Sequence, residues 1–102
     1  MLVLITVPSL EVGRNIAEVL VNQRLAACVN IVPHIRSLYI WEGKLCDDEE
    51  TLLMCKTRSS LFEEHFLPTV KLLHPYEVPE IIALPIVKGL PAYLEWVAQA
   101  TT

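Results

Sequence analysis

The segment HPYEVPEI, His74 to Ile81, places an imidazole, a phenol and two carboxylates around two prolines. Imidazole and carboxylate groups ligate divalent cations or move protons. Pro75 and Pro79 fix their own φ angles and hold the chain between them stiff and extended. The segment reads either as a rigid connector or as part of a site. Lys56 is the other unusual group, because it stands in the apolar run TLLMCKTR. A buried ammonium must be paired or neutralised, and Glu77 or Glu80 is the partner expected within the motif. At a sheet rim the same side chain would instead snorkel to water. Tyr39 and Trp41 alternate along one strand face, a pattern that serves packing or a subunit contact more often than a ligand cage.

Other chemistry has little to draw on. With three glycines there is no phosphate-cradling loop, and neither G-x-S-x-G nor H-E-x-x-H occurs. His34, His65 and His74 are far apart in sequence, and no nucleophile–base pattern marks an enzyme. The acidic run DDEE (47–50) lacks the spaced oxygens and glycine turn of a hard-cation loop, so it reads as a solvated face or loop. Cys28 and Cys55 lie in apolar runs and read as buried small hydrophobes.

The elements that position these groups follow from hydrophobic period and turn chemistry. LVLITV (2–7) is a nearly unbroken apolar strand, as expected for one covered on both faces. Ser9 is an N-cap for an amphipathic helix over 10–23, with Val12, Ile16 and Leu20 on its apolar side. Gly13 weakens that helix. A second strand, 25–32, meets Pro33, where a bulge, bend or edge is expected. Strand character resumes over 35–44, and Glu42-Gly43-Lys44 signals a turn. A third strand covers 51–58, with Lys56 sharing a face with Leu52 and Met54. Ser60 and Glu63 have capping-box spacing for a second helix, kinked at Pro68 and ended near His74 by Pro75. A fourth strand, 80–87, is placed at an edge or bulge by Pro85, and Pro91 opens a last helix. This order is a ferredoxin-like α+β fold, βαββαβ, with an added C-terminal helix. Both helices of that fold cover one sheet face, yet strands 1, 3 and 4 are apolar on both. A second copy of the chain is the natural cover.

Bulk properties narrow the partners. The 102 residues make one domain, 1–102, with 53% hydrophobic and 20% charged residues and a mean hydropathy of +0.43. Apolar content this high in so small a chain points to burial against another subunit. The net charge of −4, without a basic stripe, argues against nucleic acid. No apolar run approaches the ~20 residues that span a bilayer, and the start MLVLITVPSLE lacks the basic region of a signal peptide. Three unclustered cysteines fit a reducing compartment, the cytoplasm.

The blocks TVPS, RLAACVNIVP, SLYIWEGK, KTRSSLF, HPYEVPEIIALP and YLEWV, in order from Thr6 to Val97, together resemble the CutA family. That family is named for divalent-cation tolerance. The resemblance implies a ferredoxin-like subunit and a tight homotrimer related in architecture to PII-type signalling trimers. Bacterial members are associated with copper tolerance, and animal members with anchoring or processing of acetylcholinesterase. His74 falls on the histidine that copper-linked members use as a proposed ligand. Their other two positions carry Ile5 and Leu73 here, neither able to bind copper. Cys28 with His74 remains as an alternative thiolate–imidazole set for copper or another divalent cation. The functional reading of the motif is a cleft between subunits lined by Trp41, Lys56, Tyr76, Glu77 and Glu80. The alternative to a metal-tolerance protein is a trimeric scaffold or signalling module that binds a protein or a small anionic ligand.

With an odd cysteine count and two thiols in apolar strands, no intrachain disulfide is expected. Thiol titration of the denatured chain without reductant should find three reactive groups. Finding one would refute this.

Overall fold

A computed structural model describes the chain from Met1 to Thr102. Its elements are β1 (Leu2–Val7), α1 (Leu10–Asn22), β2 (Cys28–Trp41), β3 (Lys44–Lys56), a composite helical segment that ends in α2 (Leu67–Leu73), β4 (Ile81–Leu84) and α3 (Pro91–Ala100). The strands form one antiparallel sheet in the order β2-β3-β1-β4. This is the expected ferredoxin-like topology, two split βαβ halves.

Side chains directly opposite on paired strands share a face. Val3 faces Cys55 and Ala83, and Ile5 faces Leu53 and Ile81. Val3, Ile5, Val7, Leu53 and Cys55 are wholly buried beneath Ile16 and Leu20 of α1 and Phe66 and Val70 of the second helical segment. Ser9 caps α1 as expected, its Oγ accepting from the Val12 N–H at 3.2 Å. Gly13 lets α1 sit close on the sheet, because a Cβ there would stand 3.1 Å from Val7 Cγ2 and 3.2 Å from Leu53 Cδ2. The propensity lost at Gly13 is therefore offset by packing. On the opposite sheet face Leu4, Leu52 and Met54 stay half-buried and Ile82 is exposed. That face lacks a cover within the subunit.

Several boundaries differ from those read in the sequence. The second and resumed strands are one strand, β2, with a bulge between Val32 and Ile35. Pro33 cannot donate to the ladder there, and His34 takes φ +64°. The acidic run is strand rather than loop, because pairing with β2 carries β3 back to Lys44. Glu42 and Gly43 both have positive φ, 50° and 77°, as a two-residue hairpin turn requires. The Ser60–Glu63 capping box does not form. Ser59–Leu61 is a 3₁₀ turn and Phe62–Phe66 a π turn in which the Leu67 N–H bonds to Phe62 O. Pro68 has no N–H for an α-helical bond to Glu64 O and would crowd that carbonyl, which the wider turn relieves. β4 stops at Leu84, before Pro85, rather than continuing to residue 87. Pro91 opens α3 as expected, and Arg58 Nε bonds Thr101 Oγ1 at 2.9 Å to tie down the end of that helix.

β1 pairs with β3 only from Thr51 to Lys56. Residues 35–41 and 44–50 therefore leave the sheet as a two-stranded arm, and the molecule measures 45 × 26 × 22 Å. A lone hairpin is marginally stable in water. This one exposes Leu38, Ile40, Trp41 and Leu45 by 58–69%.

The Gly13 contact predicts that Gly13→Val overpacks the seam between α1 and the sheet and costs about 1–3 kcal/mol. Urea midpoints of wild type and variant would measure this. An unchanged midpoint would show that the seam can dilate.

Candidate functional site

The HPYE segment is fastened at three points. His74 leaves α2 with extended geometry, φ −81° and ψ 132°, as the following proline demands. Its buried ring lies against the end of β1. Nε2 stands 2.8 Å from Thr6 O, and Nδ1 accepts from the Tyr76 N–H at 3.1 Å. A carbonyl can only accept and an amide N–H can only donate, so the ring is the Nε2–H tautomer. The Tyr76 ring packs on His74 with centroids 4.8 Å apart, and its hydroxyl donates to Glu50 Oε2 at 2.9 Å. Burial, then the Glu50 carboxylate, push the Tyr76 hydroxyl up to about 12. Lys71 Nζ donates to Glu77 O at 3.0 Å and holds the rest of the segment.

Glu50 is the residue missed by sequence reasoning. It is 7% exposed, although it belongs to a run read as solvated. Extending the alternation of Leu52, Met54 and Lys56 one step back would have put Glu50 on their face. Along the arm Asp48 accepts from the Tyr39 hydroxyl. That bond and the Asp48 charge raise the Tyr39 pKa above its ordinary value.

The other expected site residues lie apart within the subunit. Lys56 does share the face of Leu52 and Met54, but it contacts Asn30 Oδ1 and, at 3.4 Å, Met54 O. Its expected pairing with Glu77 or Glu80 is not made in the subunit, where both carboxylates are exposed. The reason is register. Lys56 pairs with Leu2 at the start of β1, whereas the HPYE segment is tied to Thr6, roughly 13 Å further along the strand. Trp41, at the arm's tip, is roughly 40 Å from Lys56 along β3.

The same geometry decides what could hold a metal. Cys28 pairs with Lys56, at the end of the sheet away from His74, so the two do not meet within a subunit. Both ring nitrogens of His74 are already committed. Nowhere do three His, Cys, Asp or Glu side chains gather to hold an ion. The residues present in the subunit do not fit a copper centre built on His74 and Cys28. Ile5 is core and Leu73 half-buried against it. Cys28, Cys46 and Cys55 are free thiols, and burial pushes the Cys55 thiol up to about 12, where it is inert.

These features define a ferredoxin-like α+β subunit with an open sheet face, a projecting arm and a polar clamp at the arm's root. Residues 1–100 match the family described as CutA1 divalent ion tolerance protein, and the chain belongs to it. It is 54% identical over 99 residues to the divalent-cation tolerance protein CutA of Thermus thermophilus, covering 97% of this chain and 95% of that one. It is 52% identical to the chloroplastic protein CutA of Arabidopsis thaliana, covering 97% of this chain but only 54% of that relative's length. Among solved structures, CutA1 of Thermus thermophilus superposes with a TM-score of 0.95 at 53% identity, covering 99% of this chain and 97% of that one. CutA1 of Oryza sativa also gives 0.95, at 50% identity, covering 99% and 92%.

Tyr76 supplies a pH test. Its folded pKa of about 12 lies above the ordinary tyrosine value of 10.0. The resulting stabilisation is complete below pH 10 and is lost as pH rises toward 12. Tyr76→Phe should lose less stability than wild type between those limits. Equal losses in urea unfolding at pH 9 and pH 11.5 would overturn the assignment.

Proposed function

We propose that this chain works as a non-catalytic homotrimer of the divalent-cation tolerance type, with copper or another divalent cation as the ion concerned. Its working site would be a cleft between subunits, where Tyr76, Glu77 and Glu80 of one copy meet Lys56 of a second copy and Trp41 of a third, since Trp41 and Lys56 of one chain stand at opposite ends of β3. The supporting observation is the arm. Seven residue pairs of hairpin carry exposed aliphatic and aromatic side chains beyond the support of their own sheet. Apolar surface on that scale marks an interaction site. A ring of three, as in PII-type trimers, would lay each arm on the open face of a neighbour. Family membership and the absence of a reaction in its name support the tolerance role.

A second reading has an observation of its own. Lys56 lacks a carboxylate partner in its subunit, and no metal-ligating cluster forms. Both facts favour a cleft that takes a small anionic ligand or a protein segment over one that cages a metal. The free thiols support a reducing setting such as the cytoplasm.

Sedimentation at micromolar concentration should give three chain masses, and a monomer would sink the proposal. Copper titration separates the two readings of the cleft. Stoichiometric binding that is lost in Cys28→Ser or His74→Ala supports a metal site, and no binding tighter than about 1 mM supports the ligand or scaffold reading.

A further inference from the structure

Two groups on one sheet face carry charges that their own subunit leaves unanswered. Glu50 is 93% buried by the complement of its 7% exposure. One carboxylate oxygen accepts from Tyr76, the other accepts no hydrogen bond from the chain and keeps a narrow access to water, and no cation lies within ion-pair distance. Buried carboxylates are almost always paired, because removing an ionised group from water is costly. Asp48, two residues away on the same strand face, gives one oxygen to Tyr39 and likewise has no cation. Lys56, on that face at the other end of β3, rests on two neutral oxygens. About 20 Å of strand separates Lys56 from Glu50, so one chain cannot join them. The surface between them includes Leu52 and Met54 and lacks a cover within the subunit.

We infer that Lys56 of one subunit pairs with Glu50 of a neighbouring copy, with Asp48 adding to the field. The lysine completes the Thr6–His74–Tyr76–Glu50 chain of its neighbour, which a single subunit leaves short of a positive charge. In a cyclic trimer each copy donates one Lys56 and receives one, and the pair fixes the register in which the open faces meet. Opposite charges on surfaces that come together set orientation as well as affinity. The inference rests on the oligomeric reading above and adds the residues that complete its interface.

Charge reversal tests it. Lys56→Glu and Glu50→Lys should each weaken association about tenfold or more, and the double exchange should restore most of it. Sedimentation over a concentration series reads this, with far-UV circular dichroism as the check on folding. If the reversals do not fold, Lys56→Met and Glu50→Gln form a milder cycle, since the Gln amide oxygen still accepts from Tyr76. Their effects on the dissociation constant should then be non-additive, the double variant losing no more than the worse single. An oligomeric wild type with additive effects overturns the ion pair and leaves the assembly standing. A monomeric wild type overturns the assembly and the pair with it.

Discussion

The length of β1 governs the rest of the molecule. It has six residues, whereas β2 and β3 have fourteen and thirteen. Because β1 is central, the sheet proper can extend only from Leu2 to Val7. Beyond Val7 the two longer strands have only each other, and the arm begins there. The end of β1 also turns into the capped start of α1, and the carbonyl just before it, Thr6 O, receives His74. Core, arm and clamp therefore share one boundary. The six residues hold that place by packing on one face and backbone pairing on both edges. Val3, Ile5 and Val7 are removed wholly from water, each worth roughly 1.5–3 kcal/mol of transfer free energy.

At that boundary a buried carboxylate is tolerated because a neutral donor meets it. Tyr76 offers a hydroxyl fixed by its ring contact with His74, and His74 is fixed in turn by Thr6 and by the Tyr76 amide. Every polar side-chain atom with no access to water has a partner, so the network is satisfied as hydrogen bonding. It is unsatisfied as charge, since a hydroxyl does not neutralise a carboxylate. The distinction separates what a subunit can do for itself from what another chain must supply.

Much of this was legible because the signals were local. Strand 2–7, the Ser9 cap, the turn at Gly43 and the helix opened by Pro91 each depend on residues a few positions apart. Pro68 announced a break, but its form, a π turn upstream, depends on how the backbone relieves one carbonyl. The long β3 was hidden because four consecutive acids look like a loop, and only pairing with β2 makes them strand. For the same reason Glu50 escaped notice. Strand alternation gives its face, but the hydroxyl that meets it belongs to Tyr76, twenty-six positions away, and no local pattern carries that. Lys56 stands out in the sequence as a charge that needs a carboxylate or a way to water. Within the subunit it rests on oxygens of Asn30 and Met54 instead of Glu77 or Glu80, since register places it at the far end of the sheet from the motif.

The HPYE segment illustrates why a motif's residue types do not decide its use. His74 and the carboxylates have the chemistry of a metal site, and the family's name encourages that reading. Ligation, however, needs a free lone pair on the imidazole. Here the only lone pair, on Nδ1, is taken by the Tyr76 amide. Binding a metal there would forfeit that bond, at a net cost of about 0.5–1.5 kcal/mol. Turning the ring to present Nε2 instead would forfeit the bond to Thr6 and, with it, the tie between the segment and β1. The stiffness contributed by Pro75 and Pro79 raises that cost, since the backbone cannot follow the ring. The same stiffness is useful if the segment's task is to hold Tyr76 over Glu50 and keep one face of the arm's root ready for a positive charge from outside.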